Sequence, residues 1–284
     1  RRARRRGWVG VTSQHEQFGA LAAALTAEAL GLPGTRPEAI LAAQHKLYAR
    51  RVLQQVAPEA NLRYQPLDVA YGDDIPDGLP LPAFVKPVKA AFSVLARAAR
   101  NRAELQAHTR FGRRELWVIR HLVEPFERVV RERLPEAGSA HAMLLEELMP
   151  PGLPQYNLDG WVFEGRAHAL GVVDAIMYPG TQAFMRHECP TRLPADVQAR
   201  ALEVARRFLA AVGFTHGLFN MEFFHDPATD RLTVIEFNPR LASQFSDLYQ
   251  RVDGINLHDM AFALAHGQDP LDPATVPRRA PTAG

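Results

Sequence analysis

The sequence predicts a mixed fold, α/β or α+β, and three observations carry that expectation. Helical and strand-like stretches alternate along most of the 284 residues. Short apolar runs such as AFVKPV and AMLLEELM read as strands between loop formers. The segment GLFNMEFFHDPATDRLTVIEFNPR is apolar except for the turn-forming HDPATD, which marks a hairpin with an extended loop.

Taken in order, GWVGVTS offers one strand, and HEQFGALAAALTAEALGLPG reads as a helix stopped by Gly and Pro. TRPEAILAAQHKLYARRVLQQV reads as a second helix, opened by a capping box from Thr35 to Glu38. One strand and one helix cannot bury their own faces, so residues 1–34 are expected to be the end of a domain whose beginning is missing or reduced. YGDDIPDGLPLP is a Pro/Gly-rich loop before the strand AFVKPV. Asn101 to Glu104 forms a second capping box, and RRELWVIRHLVEPFERVVRERL is helical, with Pro125 expected to break or kink it. AMLLEELM is a strand, and YNLDGWVFEGRAHALGVVDAIM is a hairpin turning at Glu164 and Gly165. ADVQARALEVARRFLAAVG is an amphipathic helix leading into the long hairpin. GINLHDMAFALAHG is a short helix, and the Pro-rich end QDPLDPATVPRRAPTAG is expected to be flexible.

Composition narrows the class of protein. With 47% hydrophobic and 23% charged residues, the chain has the make-up of a globular domain with a sizeable core. Its one cysteine excludes an internal disulfide and fits a reducing cytoplasm. No uncharged apolar run approaches the roughly 18 residues of a membrane span. RRARRR is followed by no apolar stretch and is not expected to act as an export signal. Its five arginines turn a balance of −3 into +2, so a nucleic-acid reading would rest on that arm alone. Neither nucleic acid nor membrane is expected as a partner, and the oligomeric state is not legible.

The long hairpin raises the chemical question. In VIEFNPR, period-2 alternation puts Val234, Glu236 and Asn238 on one face, so a carboxylate and an amide share an aspect of an otherwise apolar strand. A loop centred near Thr229 sets Glu222 opposite Glu236 and Asn220 opposite Asn238. Facing carboxylates repel and, if buried, demand a cation. A donor set made only of oxygen, without His or Cys, suits a hard cation, Mg²⁺ or Mn²⁺, of the kind shared with substrate phosphates.

A helix lysine (Lys46), a strand lysine (Lys86), the strand LLEELM, the turn GLPQYNLDG and then Glu222 with Glu-x-Asn-Pro-Arg together resemble the ATP-grasp superfamily over residues 35–270. The resemblance implies an α+β fold in which two subdomains grip ATP between antiparallel sheets, preceded by a Rossmann-like N-terminal domain. Residues 1–34 would be the remnant of that domain, about 60–145 the ATP lid, 146–270 the metal and substrate subdomain, and 271–284 a flexible tail. It further implies that Lys46 and Lys86 touch ATP phosphates and that Glu146, Glu147 and Leu148 form an adenine hinge, largely through backbone groups. Glu222, Glu236 and Asn238 would hold Mg²⁺ or Mn²⁺, and Arg240 would steady the transferred phosphoryl group.

The sequence departs from the family pattern in places. No glycine-rich loop follows Lys86, leaving Lys89 or Ser93 to cover the phosphates, and Gln155 stands where relatives carry a glutamate for the ribose hydroxyls. After Arg240, LASQFSD differs from the Gln-Val-Glu-His run of biotin carboxylases, and NPR differs from the ending of D-alanine ligases. The nearest likeness is to amino-acid or peptide ligases. The expected activity is therefore ATP-dependent activation of a small carboxylic acid as an acyl phosphate, attacked by an amine. The alternatives are a non-catalytic ATP-binding module and a carbamoyl-phosphate-synthetase-like enzyme. In YPGTQAFMRHECPTR, Arg186 is a candidate carboxylate anchor, whereas Cys189 beside His187 is expected to be incidental.

Overall fold

A computed structural model describes residues 7–15, 18–67, 69, 73–89, 95–181 and 183–271. The arginines of residues 1–6, Ser93 and the tail from 272 lie outside the described residues. Residues 8–15 form no strand, contrary to the reading of GWVGVTS. Helix α1 (Gly19–Leu30) ends on Gly31, whose φ of 68° lets its N–H and that of Leu32 close the last turn onto Glu28 and Ala27.

The expected second helix is two: α2 (Pro37–Gln44) and α3 (Lys46–Val56). The break is at His45, an extended residue whose Nδ1 accepts the Tyr48 N–H at 3.2 Å and caps α3. Thr35 caps nothing. Its hydroxyl donates to His216 O at 2.7 Å and accepts the N–H groups of Thr215 and His216, tying the entry of α2 to a distant loop. A single side chain cannot serve both the helix end and this loop, and the tertiary contact wins.

A four-stranded antiparallel sheet has the order β1 (Tyr64–Leu67), β4 (Met143–Glu147), β2 (Ala83–Pro87), β3 (Arg97–Ala99). It is covered by α4 (Arg102–Thr109) and α5 (Arg113–Arg133), through Leu105 and partly buried Leu116 and Ile119. Asn101 caps α4 as expected, accepting the Glu104 N–H at 2.9 Å, while Glu104 reaches back to the N–H of Arg100. Helix α5 runs through Pro125 without a break, a correction to the expected boundary. Strand β4 lies wholly within this sheet, so the expected division at residue 146 falls inside a strand.

The second sheet has five antiparallel strands in the order β7 (Phe184–Glu188), β6 (Arg166–Met177), β5 (Gln155–Phe163), β8 (Gly217–Asp226), β9 (Arg231–Asn238). The β5–β6 hairpin turns at Glu164 (φ 48°) and Gly165 (φ 77°), the paired positive φ values of a turn that matches strand twist. One face of this sheet packs α1–α3, α5 and α6 (Ala195–Val212), with Leu158, Met221, Phe223 and Val234 buried there and Phe237 stacked on Phe208 at 3.8 Å. On the other face, Trp161, Val173 and Leu218 pack α7 (Ser246–Val252) and α8 (Leu257–Ala265). Among the described residues no helix is long and apolar enough to cross a membrane.

Strands β5 and β6 approach so closely at the irregularity beside Gly160 that a Cβ there would overlap the backbone oxygen of His168 and stand 2.6 Å from Phe219 Cζ. Backbone cannot yield as a side-chain tip can. Gly160→Ala is therefore expected to cost about 1–3 kcal/mol, read as a lowered midpoint in urea unfolding. An unchanged midpoint would mean the strands can part at no cost.

Candidate active site

The register of the long hairpin is the one the sequence implies: Glu222 faces Glu236 and Asn220 faces Asn238. One detail differs. The register shifts after Glu222, so that Phe223 faces Val234 and Ile235 is left between them as a bulge. The extra residue reverses the alternation, so Val234 turns to the core with Phe223, and only Glu236 and Asn238 keep the polar aspect.

That aspect continues onto β5. Asn157 faces Glu222, and Asp159 faces Asn220, which gives two polar rows across three strands: Asn157–Glu222–Glu236 and Asp159–Asn220–Asn238. The sequence carried a signal for the β5 half, because QYNLD places Gln155, Asn157 and Asp159 at period 2 as VIEFN does its own polar pair. Gln155 donates to Glu222 Oε2 at 3.0 Å, so its side chain is engaged with the carboxylate row. Asn238 Nδ2 donates to Asn220 Oδ1 at 3.2 Å and Glu222 Oε1 at 3.3 Å.

Helix α3 brings the cations. Lys46 and Arg50, one turn apart, face the same way. Lys46 Nζ stands 3.1 Å from Glu236 Oε2, so the cation demanded by the carboxylate pair is supplied in part by the chain itself. Burial raises the Glu236 carboxyl, but the charges of Lys46 and Lys86, the hydrogen bond from Lys46 and the charge of Arg240 outweigh it and hold the pKa down at about 2.

Lys86 is buried rather than on the surface. On one face of the smaller sheet it lies diagonally across from Glu146, with Nζ 2.7 Å from Oε2. Burial pulls the Lys86 ammonium below its ordinary range, and Glu146 opposes that pull. Arg50 completes the arrangement: Nε to Glu146 Oε1 at 2.6 Å, Nη1 to Val234 O at 2.7 Å, Nη2 to Ile235 O at 2.7 Å, with Asn61 Oδ1 at 3.3 Å. Sequence reasoning missed Arg50, since an arginine inside a basic helix carries no local mark of its partners.

Lys46, Lys86, Glu236 and Asn238 line one cleft of about 480 Å³, partly open to solvent, together with Arg50, Lys89 and Gln44. Four cationic side chains there stand against the carboxylates of Glu236 and the adjoining Glu146. Lys89 sits with its ammonium 4.7 Å from the centre of the Phe126 ring. Glu147 turns to Arg231 and Arg63, and Leu148 follows the end of β4. Arg240 is buried, donates to Leu241 O at 3.3 Å and acts electrostatically on Glu236. Arg186 is apart from these groups: it lies on β7, four strand spacings from β9, about 19 Å, exposed and paired with Glu188 at 2.7 Å. The Cys189 thiol is pushed up by burial and by Asp253, Asp159 and Asp174, which makes it a poor nucleophile.

No protein-family model matches the chain. Over 274 residues, 92% of its length, it is 30% identical to carnosine synthase 1 of Gallus gallus, of which it spans 28%. The L-amino acid ligase of Bacillus licheniformis has the same fold, with a TM-score of 0.69 at 18% identity over 93% of this chain and 58% of that one. Phosphoribosylglycinamide synthetase of Anaerococcus prevotii follows at 0.63 and 14% identity, over 95% of this chain and 61% of that one. The chain has the ATP-grasp fold. In this fold the cleft lies between the lysines of α3 and β2 on one side and the end of β9 on the other.

The residues present fit a hard divalent cation. Among the described residues no three His, Cys, Asp or Glu side chains cluster as a complete metal site. Two carboxylates and an amide whose nitrogen is engaged twice leave Glu222, Glu236 and the Asn238 oxygen as an incomplete oxygen set, the kind completed by phosphate and water.

Two predictions follow from these contacts. Arg50→Lys cannot reproduce the planar fork that reaches three acceptors at once, and a loss of roughly 3 kcal/mol is expected in equilibrium unfolding; a loss below about 0.5 kcal/mol would refute the clamp. For Glu236, whose pKa is depressed on folding, the stabilisation is present above the unfolded value near 4.5 and lost as pH falls toward 2. Without metal at pH 7, Glu236→Gln is thus expected to be less stable than wild type, and its stability should vary less between pH 4.5 and 2. A more stable variant in EDTA would mean that repulsion from Glu222 exceeds attraction to Lys46.

Proposed function

We propose that this chain is the ATP-grasp part of a ligase that uses ATP to convert a carboxylate into an acyl phosphate, which an amine then attacks to give an amide, ADP and phosphate. The observation that carries the reading is the meeting of Lys46 and Lys86 with Glu236 and Asn238 on one cleft, with Glu222 directly across the hairpin. Cations on one wall and an oxygen-only donor set on the other are what a nucleoside triphosphate and its divalent cation require.

In this reading Lys46 and Lys86 bind phosphate oxygens. Glu146 opposes the loss of charge that burial favours at Lys86 and sets its direction. Glu222, Glu236 and the Asn238 oxygen would hold Mg²⁺ or Mn²⁺, which when bound offsets charge on the phosphates. Arg240, whose charge reaches Glu236, would turn its planar donors to the transferred phosphoryl group. The backbone of Glu146 to Leu148 borders the adenine, the four-stranded sheet with α4 and α5 acts as the lid, and the five-stranded sheet carries the metal and substrate side. Likeness to a carnosine synthase and an L-amino acid ligase supports amino acids as the joined partners. A nucleotide-fuelled enzyme with one cysteine fits a reducing cytoplasm.

The test is ADP release across pairs of amino acids, with an ¹⁸O-labelled carboxylate donor. One labelled oxygen is expected in the released phosphate, because the carboxylate oxygen that attacks the γ-phosphorus leaves with it. Unlabelled phosphate alongside product, or AMP with pyrophosphate, would overturn the acyl-phosphate route. ATP binding without ADP release for any pair would favour a binding module. Lys86→Ala should lower turnover by roughly 100-fold, and unaltered turnover would remove Lys86 from the phosphate site.

A further inference from the structure

The polar face of the larger sheet extends beyond the groups that a nucleotide and its cation would use. Asp159 is buried two strands away from Asn238, and neither of its oxygens points into the cleft. Oδ1 accepts from Asn220 Nδ2 at 3.0 Å, and Oδ2 accepts from the hydroxyl of Tyr249, itself wholly buried, at 3.0 Å. A carboxylate buried this deeply is costly to keep. It needs a reason.

Donor and acceptor inventories supply one. A primary amide is symmetric in shape but not in chemistry, and only its partners decide which end is the oxygen. Asp159 Oδ1 is an acceptor, so the NH₂ of Asn220 turns toward it, and also toward Asn157 Oδ1 at 3.3 Å. The Asn220 oxygen is then turned to Asn238, whose NH₂ donates to it and to Glu222. With its nitrogen used twice on the sheet side, Asn238 has its oxygen left for the cleft.

We propose that Asp159 is a positioning residue that fixes, through Asn220, the amide orientation with which Asn238 meets a divalent cation. The inference rests on the reading of Glu222, Glu236 and Asn238 as the cation's holders. Asp159 touches neither cation nor substrate; it acts by denying Asn220 the flipped orientation, in which either two amide nitrogens would face each other or Asn238 would turn as well and aim its nitrogen at the cation. Burial pushes the Asp159 carboxyl up to about 7, with the bonds from Asn220 and Tyr249 and the charge of Arg240 pulling the other way. The relay does not depend on that titration, because a proton on the Oδ2 side, toward Tyr249, leaves Oδ1 an acceptor.

The test is Mn²⁺ affinity, read by electron paramagnetic resonance on the full chain with a non-hydrolysable ATP analogue, so that turnover plays no part. Asp159→Ala is expected to weaken Mn²⁺ binding about tenfold. Asn220→Ala, which cuts the relay one step nearer, should do the same and serves if the first variant does not fold. Asp159→Asn can still present an oxygen to Asn220 and its NH₂ to the Tyr249 oxygen, so it should stay within about threefold of wild type. Tyr249→Phe removes the other bond to Asp159 but leaves the relay, and its affinity should likewise stay near that of wild type. Unchanged affinity in the alanine variants overturns the relay, as does an equal loss in Tyr249→Phe, which would make the effect one of packing. An Asp159→Asn variant as weak as Asp159→Ala would assign the effect to charge and overturn it too. Glu236→Gln separates the two levels: if it binds Mn²⁺ as tightly as wild type, the cation reading itself fails and the relay with it.

Discussion

Arg50 ties the two sheets of this molecule together, and the cleft exists in its present form because of that tie. Its guanidinium takes the carboxylate of Glu146 from the smaller sheet and the carbonyls of Val234 and Ile235 from the larger one. A bulge leaves carbonyls without ladder partners, and buried carbonyls need donors. Arg50 satisfies two of them where the bulge reverses the strand's alternation. The same side chain shares Glu146 with Lys86, so Lys86, the bulge and helix α3 are fixed relative to one another by one planar group.

This arrangement places like and unlike charges by geometry rather than by sequence proximity. Burial pulls the Lys86 ammonium down and Glu146 opposes that pull; burial raises the Glu236 carboxyl, and Lys46 and Lys86 outweigh it. Lys46, Arg50 and Lys86 each have a carboxylate beside them, yet cations outnumber carboxylates at the cleft. In the proposed function an anionic ligand with its divalent cation would complete the balance. The protein holds its charges ready and partly compensated before a ligand arrives, which keeps the reorganisation on binding small.

Much of the polar face was legible because it is written in local periodicity. The register of β8 against β9 follows from a turn-forming loop and alternating side chains, and the facing pairs Glu222/Glu236 and Asn220/Asn238 came directly from it. The β5 half of the face was written in the same alternation in QYNLD and was not taken up, because polar residues near a glycine-rich turn read more simply as loop chemistry. Thr35 misled for a related reason: a capping-box spacing is local, but the hydroxyl is claimed by residues 180 and 181 positions away.

The sequence by itself determined the mixed fold, the long hairpin, the Glu164–Gly165 turn and the set of oxygen donors, since each depends on residues within a few positions of one another. Only the tertiary structure decided that Arg50 would meet Glu146 across 96 positions and Val234 across 184, that Ile235 would bulge and send Val234 to the core, and that His45 would divide a helix. Contacts of that span have no characteristic spacing. They arise when two sheets are brought together, and a buried guanidinium then settles on whichever acceptors the packed backbone leaves unsatisfied.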